Sequence, residues 1–148
     1  MLKKIEETAE WLRKRSALRP ETAIILGSGL GSLCNDIDVE QEFLYADIPN
    51  FPVSTVEGHE GKLIVGRLAD CEVIAMAGRF HFYEGYTMKE ITFPVRVFHA
   101  LGIKHLFASN AAGGTNPSYR IGDLMLITDH INMLPDNPLR GKNLPAGP

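Results

Sequence analysis

Several features that would direct a protein to a particular partner or compartment are scarce or absent in this chain of 148 residues. The 15 basic and 18 acidic residues form no polybasic run, which argues against nucleic acid or an anionic membrane surface as the main partner. No apolar run approaches membrane-spanning length, and the charged residues 1–7 do not resemble a secretory signal. The two cysteines, Cys34 and Cys71, show neither metal-ligand spacing nor a disulfide framework. We therefore expect a soluble, cytoplasmic protein with no metal centre.

The apolar pattern predicts one α/β domain over residues 1–148. Hydrophobic residues recur at helical spacing in residues 2–12 and predict an amphipathic first helix. A capping-box spacing at Thr87 predicts a second helix, which ends at Gly102. Pro94 either bends this helix or marks a later start of it. Short apolar runs predict strands at residues 23–26, 62–68, 72–77, 105–109 and 124–128.

The segment GRFHFYEGY, residues 78–86, directly follows one of these strands. In an extended segment Arg79, His81 and Tyr83 share one face, because side chains two apart point the same way. A fixed cation, a histidine and an amphipathic ring suit an oxyanion that lies beside a hydroxyl-rich molecule such as a sugar. The alternative for this segment alone is an exposed polar loop with aromatic residues at its rim.

Two small-residue loops also follow predicted strands, at the strand ends where open α/β sheets bind ligands. Glycines in residues 27–31 allow backbone N–H groups to converge on a small anion, with the Ser28 hydroxyl added. Ser32 stands where a dinucleotide-binding fingerprint requires its third glycine, and the P-loop lysine is missing. Residues 110–114 offer similar backbone access. A plain tight turn remains the alternative for both loops.

A polar, glycine-flanked loop at residues 56–61 carries His59. Loops of this kind can close over a site, although taken alone His59 is better explained as an ordinary surface histidine.

Taken together and in order, seven segments resemble the trimeric, low-molecular-mass class of purine nucleoside phosphorylases. The resemblance covers residues 21 to about 141, and the FHFYEGY form is similar to the enzymes that act on 6-oxopurines. Its segments are GSGLG at 27–31, IPNFPVSTVEGHEGKL at 48–63, GRFHFYEGY at 78–86, TFPVRVFHALG at 92–102, NAAGG at 110–114, GDLMLITDHIN at 122–132 and NPLRG at 137–141.

This resemblance implies a three-layer αβα fold with a mixed central sheet, and phosphorolysis of purine nucleosides to the free base and (deoxy)ribose 1-phosphate. By family pattern, His81 is the catalytic residue, Tyr83 and Ala112 bind ribose, and no cofactor is needed because inorganic phosphate is a co-substrate. The family also implies a homotrimer when the domain is complete. Its phosphate ligands match Ser28, His59, Arg79, His81 and the backbone N–H of Ala111.

Members of that class are much longer than this chain, and their base-binding residues have no counterpart before Pro148. We therefore expect a domain that is incomplete at its C-terminus and carries the phosphate and ribose half of a site, with base-binding residues unknown. The alternative is a non-catalytic module that binds phosphate or a sugar phosphate, or an inactive fragment.

Overall fold

The chain folds around one mixed β-sheet, in a computed structural model that describes residues 1–27, 29–53 and 61–141. In chain order, its helices and strands are α1 (Leu2–Arg13), β1 (Thr22–Ile25), β2 (Asp38–Leu44), β3 (Lys62–Leu68), β4 (Cys71–Ala77), α2 (Met88–Ile91), α3 (Phe93–Leu101) and β5 (His105–Ala108). Short 3-10 helices lie at Gly31–Asp36, Tyr45–Asp47 and Phe82–Glu84. Within the described ranges, none of the helices combines the length and the apolar character that a membrane span requires.

The strand order of the sheet is β2-β3-β4-β1-β5. β2, β3 and β4 are antiparallel neighbours, whereas β1 runs parallel to both β4 and β5. Ile25 at the end of β1 lies beside Met76 of β4 and Ala108 of β5. The segments that follow these three parallel strands therefore leave the sheet at one edge, which confirms the predicted α/β class with a mixed sheet.

The two faces of the sheet are covered differently. On one face α1 and α3 pack against β3 and β4, and the buried residues of α1 lie on one side of that helix, as its amphipathic pattern predicts. On the other face, Leu33 and Cys34 of the Gly31–Asp36 helix pack against a smaller apolar cluster. In the described part of the chain, this second helical layer consists of that one short 3-10 helix.

The helix predicted from Thr87 forms as two helices. Thr87 and Glu90 make the predicted capping box: the Glu90 carboxylate accepts the Thr87 N–H at 2.7 Å, and Thr87 Oγ1 accepts the Glu90 N–H at 3.3 Å. α3 begins immediately afterwards, with Pro94 in its first turn, where a proline costs no helical hydrogen bond. Gly102 ends α3 with φ +94°. Pro94 therefore marks a second helix start.

Two strands differ from the prediction. The strand expected at residues 124–128 is wrong, because this segment is irregular and its Leu124 and Leu126 side chains are 89% and 90% exposed. A strand needs a neighbour that satisfies its backbone groups, and none of the described strands pairs with this segment. β2 was not predicted because its sequence is acidic and Phe43 is its one buried residue, a composition that suits the edge of a sheet.

An open apolar surface, as we name it here, extends from β5 into the irregular residues 109–141. All four residues of β5 are exposed, and residues 109–141 contain neither helix nor strand. This surface comprises the exposed side chains of Leu106, Phe107, Ile121, Leu124, Met125, Leu126, Ile127, Ile131, Met133, Leu134 and Leu139.

Glu40 of β2 fastens the connection between α1 and β1 to the sheet. Its carboxylate accepts the Ala17 N–H at 2.9 Å, the Ser16 hydroxyl at 3.1 Å and the Leu18 N–H at 3.3 Å. These bonds favour the ionised form, and the Ala17 N–H is the largest cause of the lowered pKa of Glu40.

We expect Glu40→Gln to lower the free energy of unfolding at neutral pH. Because the pKa of Glu40 is lower in the folded state, its stabilising effect is complete above the ordinary glutamate pKa and disappears as the pH falls through the folded-state value. Urea unfolding of both proteins at several pH values measures this difference. A difference between wild type and variant that stays constant down to strongly acidic pH would contradict the assignment.

Candidate functional site

Three loops meet at the edge where β1, β4 and β5 end, and Ser109, which begins the third of them, contacts the other two. The Ser109 N–H donates to the Ile25 carbonyl at 3.0 Å, and the Gly27 N–H donates to Ser109 Oγ at 3.0 Å. Arg79, beyond the end of β4, donates from Nη1 to the Ser109 carbonyl at 2.7 Å. The loops predicted to bind an anion are therefore linked to one another by direct hydrogen bonds.

Close backbone approach requires glycine at position 27. A Cβ atom there would lie 2.3 Å from the Ser109 carbonyl oxygen and 2.8 Å from Asn110 Cα. Both are backbone atoms that cannot rotate away. The glycine thus lets the end of β1 lie directly against the loop that follows β5.

Arg79, His81 and Glu84 form a hydrogen-bonded row. The Arg79 Nε–H donates to His81 Nε2 at 3.1 Å, and His81 Nδ1 lies 2.5 Å from Glu84 Oε1. A guanidinium can only donate, so His81 Nε2 is an acceptor, and the Nδ1 hydrogen points to the Glu84 carboxylate. The side chains of His81 and Glu84 are 28% and 13% exposed, which leaves the row partly shielded from water.

The Tyr83 ring stacks on the ring of His81, the middle residue of this row. Its ring centroid lies 4.7 Å from that of His81, with 23° between the ring planes, yet Tyr83 as a whole is 81% exposed. The structure confirms that Arg79, His81 and Tyr83 lie together, although by a different backbone path from the one predicted. β4 ends at Ala77, and the 3-10 helix Phe82–Glu84 follows.

A cluster of aromatic side chains packs around Phe80 and holds the segment at residues 78–86 against the core. Phe80, between Arg79 and His81, is buried among the rings of Tyr45, Phe51 and Tyr86. Tyr45 Oη donates to the Gly78 carbonyl at 2.7 Å, and burial raises the pKa of Tyr45, which keeps the hydroxyl a neutral donor. The backbone that carries Arg79 and His81 is thus held at both Gly78 and Phe80.

The remaining predicted site residues are placed as follows. Ala111 and Ala112 follow Ser109 at the same edge of the sheet and are exposed. Ser28 and His59 lie outside the described residues. Phosphate and ribose binding at these four positions therefore stays a prediction.

Two residues that the sequence analysis did not nominate belong to this site. The sequence predicts Ser109 only as the last residue of a strand, and it assigns Glu84 no role within the segment at residues 78–86. The one sequence signal for Glu84 is its spacing of three residues from His81, which a tight helical turn brings together.

This arrangement can bind an oxyanion. Arg79 carries five N–H donors, of which the described contacts use two, and a planar guanidinium can contact two oxygens of one anion. The exposed ring of Tyr83 offers an apolar face beside it. Within residues 1–27, 29–53 and 61–141, no three histidine, cysteine, aspartate or glutamate residues are grouped so as to hold a metal ion.

Known sequences match this chain over nearly its whole length. The sequence model of the phosphorylase superfamily matches residues 21–148. A Bacillus subtilis protein named purine nucleoside phosphorylase 1 is 54% identical over 143 residues, which cover 97% of this chain and 53% of that protein. The purine nucleoside phosphorylase of Rattus norvegicus is 53% identical over 141 residues, covering 93% of this chain and 49% of the rat protein. The chain thus spans about half the length of these relatives.

A solved structure matches the fold as well. A purine nucleoside phosphorylase in complex with ribose-1-phosphate superimposes with a TM-score of 0.77 and 44% sequence identity. The match covers 82% of this chain and 45% of that chain. The mixed sheet and its helices are therefore those of a nucleoside phosphorylase fold.

Proposed function

Because this chain belongs to the phosphorylase superfamily, we propose that it forms the phosphate- and ribose-binding part of a purine nucleoside phosphorylase. The observation that carries the proposal is the Arg79–His81 pair, held at the edge where three parallel strands end. The Bacillus subtilis and Rattus norvegicus relatives, which match along 97% and 93% of this chain, carry that enzyme name and support the choice of reaction.

In the proposed reaction, a phosphate oxygen attacks C1′ of a purine nucleoside. The new O–C1′ bond forms as the bond from C1′ to the purine nitrogen breaks, and the purine leaves with the electron pair and takes up a proton. Arg79 binds and orients the phosphate. His81 contacts it through Nε2 in the form that carries a hydrogen there and no longer accepts from Arg79, and Ser28, His59 and the Ala111 N–H are further ligands. Fixing phosphate in line with C1′ is the main contribution that such a site can make to the rate.

Tyr83 and Ala112 complete the proposal on the ribose side. The exposed Tyr83 ring can cover the apolar face of a sugar while its other face rests on His81. The solved relative with ribose-1-phosphate supports a sugar phosphate as the product. We further propose a homotrimer in the cytoplasm that acts in purine salvage, without a cofactor.

The direct test measures phosphate binding and phosphorolysis on the same sample of the 148-residue chain. Calorimetric titration with sodium phosphate, against sodium chloride at equal ionic strength, should show one saturable phosphate site. Phosphate-dependent release of hypoxanthine from inosine would support the full reaction. Phosphate binding without turnover is also consistent with a chain that carries only the phosphate and ribose half of the site, whereas no phosphate binding would refute the proposal.

We expect Glu84→Ala to weaken phosphate binding about tenfold, the size expected for one lost hydrogen bond to a charged group. The loss frees the His81 ring, whose Nδ1 otherwise faces the Glu84 carboxylate at 2.5 Å. Calorimetric titration with phosphate measures the change.

Glu84→Gln keeps an acceptor for the Nδ1 hydrogen and should have the smaller effect. Glu42→Gln is the matched control, because Glu42 pairs with Lys62 and lies on the outer strand β2, which β3 separates from β4. Equal losses of affinity in the Glu84 and Glu42 variants would show that the effect is one of overall charge and not of His81 placement.

A further inference from the structure

We propose that Ser109 is a positioning residue, whose hydroxyl group fixes the start of the glycine loop relative to Arg79 and so sets the affinity for phosphate. The inference rests on the proposed function, since phosphate is the ligand whose affinity it concerns. Ser109 itself contacts no substrate in this assignment. It acts through the groups that it holds.

The hydroxyl group of Ser109 joins two backbone groups at the end of β1. Ser109 Oγ accepts the Gly27 N–H at 3.0 Å and donates to the Ile25 carbonyl at 3.3 Å. The Ser109 N–H donates to the same carbonyl at 3.0 Å. Two of the three hydrogen bonds that attach Ser109 to this strand end therefore depend on its side chain.

The carbonyl group of the same residue determines where the Arg79 guanidinium lies. Arg79 Nη1 donates to this oxygen at 2.7 Å, and Arg79 Nε donates to His81. A shift of Ser109 away from β1 would move Arg79 and His81 relative to the glycine loop. An oxyanion that must contact both sides is sensitive to such a shift, because charge-assisted hydrogen bonds demand close and directed contact.

Removing the hydroxyl group leaves the buried Gly27 N–H without the acceptor that it has here. A buried N–H without a partner is strongly disfavoured, so the peptide must turn or admit water. Gly27 cannot close the gap by moving toward Ser109, since the two backbones are already in contact. The start of the glycine loop therefore relaxes away from Arg79.

The test compares Ser109→Ala with Ser109→Thr, which restores a hydroxyl group, and with Thr8→Val as matched control. Thr8 has a fully buried hydroxyl that contacts the carbonyls of Lys4 and Pro49, within the α1 side of the core. Two quantities are measured on each 148-residue variant. One is the dissociation constant for inorganic phosphate, and the other is the hydrogen-exchange rate of the Gly27 amide relative to that of Ile74 in β4.

We expect Ser109→Ala to weaken phosphate binding and to accelerate Gly27 exchange, each about tenfold, as for one buried donor left unpaired. Ser109→Thr should restore both quantities, and Thr8→Val should change neither while lowering stability. The restored values would exclude a merely structural effect.

Unchanged phosphate affinity in Ser109→Ala, in a wild-type chain that binds phosphate, would overturn the role of Ser109 and leave the proposed function intact. A wild-type chain that binds no phosphate would overturn the proposed function. In that case, faster Gly27 exchange in Ser109→Ala still supports the positioning contact, and equal exchange rates overturn it as well.

Discussion

Arg79→Ala is expected to weaken phosphate binding about 100-fold, because two charge-assisted hydrogen bonds to the anion are lost together. The guanidinium also donates to the Ser109 carbonyl and to His81 Nε2. His81 therefore loses its hydrogen bond from Arg79 in the same variant. Calorimetric titration with phosphate measures the affinity, and urea unfolding shows whether the fold is retained.

Two variants make the Arg79 result specific. Arg67→Ala removes an equal charge from a surface pair with Glu72, at the opposite edge of the sheet, and should leave phosphate affinity nearly unchanged. Arg79→Lys keeps the charge and loses the planar fork, so its affinity should fall between those of wild type and Arg79→Ala. If Arg79→Ala binds phosphate as tightly as Arg67→Ala, Arg79 is not a phosphate ligand.

Gly27→Ala is expected to lower the free energy of unfolding by about 3 kcal/mol, the upper range for overpacking, and to abolish measurable phosphate binding. The added methyl group would overlap the backbone of Ser109 and Asn110. Neither backbone can yield without separating β1 from β5, and that separation pulls apart the loops at this edge. Urea unfolding and phosphate titration of the variant measure both effects.

Gly31→Ala is the matched control for this steric argument. A Cβ atom at Gly31 meets nothing within 4 Å, and its backbone is outside the left-handed region. The change should shift stability by less than about 1 kcal/mol, and because it keeps the backbone N–H it should weaken phosphate binding far less than Gly27→Ala does. A Gly27→Ala variant that behaves like Gly31→Ala would show that the strand ends separate easily and that close packing does not define the site.

The sequence was sufficient for most of the sheet and for the grouping of Arg79, His81 and Tyr83. Buried parallel strands carry continuous apolar runs, and the loops after them carry the ligand residues, so both can be recognised without coordinates. β2 was not predicted because an edge strand with charged residues has no continuous apolar run. The apolar residues 124–128 gave the opposite error, a predicted strand that does not form. Their composition favours a strand, but a strand also needs a neighbour that pairs with it.

The contacts of Glu84 and Ser109 could not be read from the sequence. An extended segment places Glu84 on the face opposite His81, and only the 3-10 helix Phe82–Glu84 returns its carboxylate to the ring. The bonds from Ser109 to Gly27 and Arg79 depend on β1 lying between β4 and β5, a spatial order that differs from chain order. Both contacts arise from topology or local backbone geometry.

The open apolar surface determines how this 148-residue chain will behave as its concentration rises. β5 is the outermost strand on its side of the described sheet, and a bare strand edge beside exposed leucine and isoleucine side chains is a template for contact between molecules. A net charge of -3 provides little electrostatic repulsion to oppose such contact. The chain should therefore scatter light increasingly on concentration, bind hydrophobic dyes while folded and attract holdase chaperones during expression.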